Sequence, residues 1–154
     1  MEARMRHPVY VLPDGLDALI ALSKAAEASG IPKTVTHMAT LRASQINGCS
    51  VCVGMHAKDM REAGESEERV HAVAAWRDTA LFSDAERAAL ALAEAVTRLA
   101  DKPDPVPDEV WNEAAAHFPE TELSGLLLAI GAINVWNRLN AATRQVAGQA
   151  VQAS

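Results

Sequence analysis

Aromatic side chains make up only 4 % of the 154 residues, and runs of β-branched residues are scarce. Strands draw on both, so the shortage argues against a sheet. Basic residues are in deficit too: the formal net charge is −6, which removes the electrostatic footprint of a nucleic-acid binder. No apolar run approaches the roughly 20 residues of a membrane-spanning helix. The richest, Leu123 to Trp136, is broken by Ser124, Gly125 and Asn134. The opening Met1 to Pro8 carries charge with no apolar stretch behind it, so no signal peptide is expected and the chain reads as cytoplasmic. Repeats, low-complexity tracts, a second C-x-x-C and any metal, flavin or haem motif are absent. Neither a membrane, a nucleic acid nor a cofactor is therefore expected as a partner.

What is present is helix-forming material. Hydrophobic residues make up 49 %, much of it alanine and leucine, which favour helices. The length suits one domain, 1–154, with residues 1–12 as an irregular lead-in. Prolines and glycines then punctuate a single-domain, all-α bundle of about six to seven helices. Asp14 caps a first helix to about Ser29, with the stripe Leu16, Leu19, Ile20, Ser23 and Ala26. Pro32 opens a second to about Ile46, and Asn47-Gly48 breaks the chain before a third from Cys49 to Ala63. Ser66 starts a fourth through Trp76. Ser83-Asp84-Ala85-Glu86 is a capping box, in which serine and glutamate satisfy free amides at the start of a fifth. After the stiff connector Pro103, Pro105 and Pro107, a short helix spans Asp108 to Phe118. A last long one runs from Pro119 to about Ala147, apolar nearly all round and so central or at a subunit interface.

The chemistry-bearing feature is Cys49-Ser50-Val51-Cys52 followed by His56. In a helix starting just after Gly48, spacings of three and four residues put all three side chains on one face. The first turn of a helix favours negative charge, hence thiolate, the form that attacks peroxides and disulfides. A histidine one turn on can take a thiol proton. A neighbouring thiol can close a disulfide on the sulfenic acid that peroxide leaves. Two alternatives stand beside this: buried cysteines acting as small apolar residues, and a zinc site in which His37 joins Cys49, Cys52 and His56. His7, His71 and His117 read as surface or boundary residues, and Met38, Met55 and Met60 as core filler, with Met55 able to line an apolar approach to the thiols. Asn134, Asn137 and Arg138 interrupt an apolar helix and need partners. Arg42, Ser44, Gln45 and Asn47 are placed to shape the site entrance.

The segment Leu41 to Lys58 resembles the signature of the alkylhydroperoxidase D-like proteins of the carboxymuconolactone decarboxylase superfamily. The likeness continues through Ala74 to Arg77, Glu86 to Leu90 and Leu128 to Leu139. The resemblance implies an all-helical homo-oligomer, a trimer or hexamer, that acts as an antioxidant peroxidase of peroxiredoxin type. A small hydroperoxide would be the substrate, and a thiol reductant would restore the disulfide. It implies attack by Cys52, resolution by Cys49 and assistance from His56. The helix-start argument alone favours Cys49 as the more acidic thiol. Two departures stand out. The family's relay glutamate would lie twelve residues before Cys49, where this chain has His37, a group that can itself relay protons near neutral pH. Gly54 replaces a commonly acidic residue, at a helix cost of about 1 kcal/mol against alanine, which points to close packing or extra room. The competing functions are a decarboxylase of the superfamily's other branch, and a non-catalytic redox-sensing or zinc-binding oligomer.

Overall fold

A computed structural model describes residues 2–148. Every regular element among them is helical: α1 (Pro8–Val11), α2 (Pro13–Glu27), α3 (Lys33–Asn47), α4 (Ser50–Glu62), α5 (Glu67–Ala72), a 3-10 segment (Val73–Asp78), α6 (Asp84–Thr97), α7 (Asp108–His117) and α8 (Glu120–Thr143). The expected all-α single-domain bundle is observed, with eight α-helices among the described residues where six to seven were expected.

Four boundaries differ from the sequence reading, each for a local reason. Pro13 takes the first position of α2 with Leu12 before it, so Asp14 lies inside the first turn and caps nothing. The lead-in is not irregular throughout. Pro8 occupies the first turn of α1, and the His7 Nδ1 accepts the Val9 N–H at 3.3 Å, a cap that also draws His7 into the interior. His7 is 5 % exposed and packs against Trp136, with ring centroids 5.5 Å apart, so it is no surface histidine. The expected helix over 66–76 is split because Ala75 leaves helical geometry and swings Trp76 inward. Arg87 donates to the Trp76 and Thr79 carbonyls there, satisfying acceptors that a continuous helix would have used. The last helix stops at Thr143, ahead of Ala147, because Arg144 turns left-handed and Gln145 donates its N–H back to Asn140 O. The end of the expected domain, 149–154, lies outside the described residues.

Helix α3 is the central strut, packed against α4, α6 and α8. One face sends Val35 and Ala39 into a core with Leu92, Leu126 and Ile130. The other sends Met38 and Leu41 into a second core with Met60, Trp76 and Leu90. Helix α2 crosses α8 closely at Gly125, where an added Cβ would lie 1.9 Å from the Ser29 Oγ. The stripe expected on α2 is only half covered: Ala26 is buried, whereas Ile20 is exposed, as are Tyr10, Val11 and Leu12 just before it. The Ser83–Glu86 capping box is present at the start of α6.

Glu94 ties these layers together. Its buried carboxylate accepts from Arg42 on α3 (2.7 Å), Arg77 (2.7 Å), Arg98 (3.1 Å) and the Trp76 indole N–H (3.0 Å). These donors overcome burial and hold the carboxyl at a pKa of about 2. Arg69 is a second tie, pairing with Glu65 and Glu86 and lying over the Phe82 ring.

Candidate active site

The Asn47-Gly48 break works by hydrogen bonding. Gly48 adopts φ 67°, a left-handed turn that glycine tolerates without strain. The Gly48 N–H then reaches Gln45 O, and the Cys49 N–H reaches Ser44 O, which closes the end of α3. The same Cys49 opens α4 as its N-cap, with its Sγ accepting the Cys52 N–H at 3.4 Å. One residue therefore ends one helix and begins the next. Cys52 sits one turn into α4, and both side chains are almost wholly buried.

Both cysteines are free thiols, with sulfurs 2.9 Å apart. The Asn140 amide on α8 donates to both, at 3.5 Å to Cys49 and 3.3 Å to Cys52. The S–H of Cys52, against the opposing cost of burial, pulls the Cys49 thiol down to a pKa of about 6, helped by the Cys52 N–H and the amides of Asn140 and Asn137. Sharing that hydrogen bond with a charged neighbour pushes Cys52 upward, and burial adds to the effect. The geometry therefore favours negative charge on Cys49, as the helix-start argument expects, over the thiol that the family resemblance makes the attacker.

A polar ladder joins α3 and α8 one turn before Asn140. Asn47 donates to the side-chain oxygens of Asn134 and Asn137, each at 2.9 Å. Asn137 donates to the Ser44 Oγ at 3.2 Å, and Asn134 to the Thr97 Oγ1 at 3.1 Å. The polar interruptions of the apolar last helix thus pair with the residues expected near the site entrance, leaving Asn140 one turn on to face the sulfurs. Of the other expected entrance residues, Arg42 goes instead to Glu94.

The two histidines form a separate group. His56 makes no hydrogen bond to either sulfur; its Nδ1 meets the Asp59 carboxylate at 3.1 Å. His37 and His56 together line a cavity of about 280 Å³ with Asp59, Met55, Ile133 and Trp136. The His56 Nε2 and His37 Nδ1 are buried without a partner among the described residues. Desolvation lowers the His56 pKa, against the pull of Asp59 and with a smaller push from His37, so the ring is neutral at pH 7. Ile133 and Trp136 also pack against Cys49 and Cys52, so the thiol pair and the histidine-lined cavity share these two apolar side chains. The four side chains do not converge as zinc ligands, and no group of three His, Cys, Asp or Glu does so among the described residues. Gly54 has nothing within 4 Å of where its Cβ would be, so it marks room, not close packing.

Residues 13–95 match the carboxymuconolactone decarboxylase family model. The chain belongs to the carboxymuconolactone decarboxylase family. An uncharacterised Bacillus subtilis protein, YdfG, is 36 % identical over 132 residues, covering 86 % of this chain and 88 % of its own. A crystal structure from Agrobacterium tumefaciens superposes with a TM-score of 0.88 at 34 % identity, covering 97 % of this chain and all of that one. That protein is of unknown function, with a suggested role in antioxidant defence as AhpD. The debrominase Bmp8, crystallised with tribromopyrrole, shares the fold at a TM-score of 0.79 and 23 % identity, over 93 % of this chain and 75 % of its own. The alkylhydroperoxidase D-like resemblance is thus borne out, and the fold it implies is the fold observed. A debrominase nonetheless uses the same fold, so the fold alone does not fix the reaction.

Sequence reasoning missed three site residues. Asn140 lies 88 residues from Cys52, and no spacing rule links them. Asp59, by contrast, stands three residues after His56, a visible helical neighbour. Arg144 gave no signal beyond following a long helix, yet it lines a cavity onto which Cys49 opens.

Proposed function

We propose that the protein is a thiol-dependent hydroperoxide reductase, cytoplasmic and homo-oligomeric, using Cys49 and Cys52 as its redox couple with His56 and His37 in the approach. The observation that carries this reading is the thiol pair itself: two free sulfurs 2.9 Å apart, held by an amide that donates to both. That arrangement stabilises a thiolate and leaves its partner within reach to form a disulfide.

In the order implied by the family, the Cys52 proton shifts to Cys49 along the short S···S contact, and Cys52 attacks the hydroperoxide. The O–O bond breaks, the alkoxide takes a proton from water to leave as an alcohol, and Cys52 becomes a sulfenic acid. Cys49 then attacks Cys52, the S–O bond breaks, and hydroxide leaves with the Cys49 proton as water. Two electrons pass from the thiol pair to the peroxide. His56, with Nδ1 held by Asp59, offers its unpartnered Nε2 as an acceptor for the hydroperoxide O–H, and His37 supplies a second polar contact in the same cavity. Asp59 in this reading is a positioning residue that replaces the missing relay glutamate from within α4. The reverse order, direct attack by Cys49, is favoured by the resting charge on that sulfur.

Titrating thiols before and after one equivalent of an organic hydroperoxide tests the reading. Loss of two thiols per chain together with peroxide is expected; unchanged thiols would sink it. Sulfenic-acid trapping in the Cys49→Ser and Cys52→Ser variants separates the two orders. A lactone decarboxylation that survives Cys52→Ser would select the family's other branch instead. Bare apolar side chains on α1 and α2, with Leu128 and Val135 on α8, support self-association into the trimer or hexamer, which light scattering measures.

A further inference from the structure

Reduction of the disulfide needs its own access. Of the two cysteines, Cys49 lines a cavity of about 290 Å³ between the start of α4 and the end of α8. Its walls are Gly48, Ser50, Asn140, Ala141, Arg144 and Gln145. The histidine-lined cavity lies elsewhere and shares none of these residues. Arg144 is the single charged side chain among them, on a chain whose net charge is −6. The net charge disfavours anions overall, and at this cavity an anion meets a guanidinium.

The backbone at Arg144 sharpens the point. It adopts φ 54°, ψ 45°, the left-handed conformation at a helix end where glycine is the usual occupant. Among the described residues Gly30, Gly48, Gly64 and Gly148 fill the other left-handed positions, apart from Asp101, a residue type that tolerates the region. A long branched cation at such a place costs backbone strain that glycine would not. Its side chain therefore has to bring something that the turn does not require.

We propose that the cavity between Cys49 and Arg144 admits the reducing co-substrate, a small thiol bearing a carboxylate, with Arg144 holding the carboxylate and the thiol attacking Cys49. This rests on the redox-couple reading above and gives that couple a second entrance, separate from the one lined by histidines. The reductant's thiolate attacks the Cys49 Sγ and the Cys49–Cys52 bond breaks. The electron pair goes to Cys52, which takes a proton. Asn140, 3.3 Å from Cys52, stabilises that leaving sulfur, and the charge on Cys49 that disfavours a Cys52 thiolate is absent while Cys49 is in the mixed disulfide. A second reductant thiolate attacks the reductant's own sulfur, releasing Cys49 thiolate and the oxidised reductant. Two thiols thereby supply the two electrons.

The test starts from protein oxidised with diamide, so no peroxide is involved. Rates of disulfide reduction are compared for mercaptopropionate, mercaptoethanol and cysteamine, each corrected to its thiolate concentration. The expected order is anionic over neutral over cationic, with mercaptopropionate ahead of mercaptoethanol by about five-fold at low salt, the size of one partly exposed ion pair. Arg144→Gly should bring that ratio to about one while leaving the melting temperature unchanged or raised, and Arg144→Lys should keep most of it. A ratio near one in the wild type, or one that survives Arg144→Gly, overturns the inference while leaving the redox couple standing. Failure of diamide to form the disulfide overturns both.

Discussion

The hydrogen bonds from Asn140 to the sulfurs make a quantitative demand. Charge on Cys49 is stabilised by Cys52 and by this amide, and its pKa of about 6 reflects both. Asn140→Ala removes a donor at 3.5 Å from Cys49 and 3.3 Å from Cys52 and leaves the S···S contact in place. Hydrogen bonds to charged groups contribute about 1.5–3 kcal/mol at good geometry. At these lengths the lower end applies, and about 1.4 kcal/mol corresponds to one pKa unit. The midpoint should therefore rise by about one pKa unit, with a matching fall in the thiolate fraction near neutral pH. Asn140→Asp, nearly the same shape but anionic, should move it further. The assay is the far-ultraviolet absorbance of the thiolate against pH, with the rate of alkylation as a second reading. Among the described residues the Asn140 amide donates only to the two sulfurs, so the fold should survive. An unshifted midpoint in Asn140→Ala, or a wild-type midpoint near the ordinary thiol value, would refute the electrostatic account of the pair.

Acid should unfold the protein in two stages. His7 and His56 are held below the usual 6.5, burial being the first cause for each. The unfolded chain then binds protons first, and stability falls as pH drops below about 6.5. Glu94, depressed from 4.5 to about 2, contributes stability that is full above pH 4.5 and lost on descending to 2, a difference of roughly 1–3 kcal/mol once solvent screening at the exposed Arg77 and Arg98 is counted; melting temperatures from pH 8 to 2 read both stages, and Glu94→Gln should flatten the second. Gly125→Ala, driven against Ser29 and the Ala26 carbonyl, should cost roughly 1–3 kcal/mol in denaturant unfolding. Gly54→Ala, into open space within α4, should add up to about 1 kcal/mol in the same assay.

The helices with strong local punctuation were readable in advance. Ser83 with Glu86, and Gly48 ahead of Cys49, each set a boundary through bonds between residues a few positions apart, which spacing can express. The positions that failed depend on contacts across the chain. Ala75 leaves the helix because Trp76 has a core to enter. His7 is buried because Trp136, far along the chain, packs on it. The candidate site divides in the same way. Cys49 and Cys52 were visible as a pair, and the structure brings them together. The phase argument that put His56 on their face was right about the helix but silent about its hydrogen bonds, and the ring turns to Asp59. Glu94 lay inside an alanine-rich helix with only Arg98, four residues on, as a readable partner, and carried no sign of Arg42 and Arg77, which reach it from other segments.

Cys49 closes the end of α3 through its N–H and opens α4 as the cap, with its sulfur accepting the Cys52 N–H. Serine is among the best residues for that capping position, and a cysteine codon becomes a serine codon by a single-base change. One mutational step can therefore silence the chemistry here while the turn, the cap and the fold remain. Lineages carrying this scaffold can lose the reaction without losing the protein, leaving an intact helical body free for a different use.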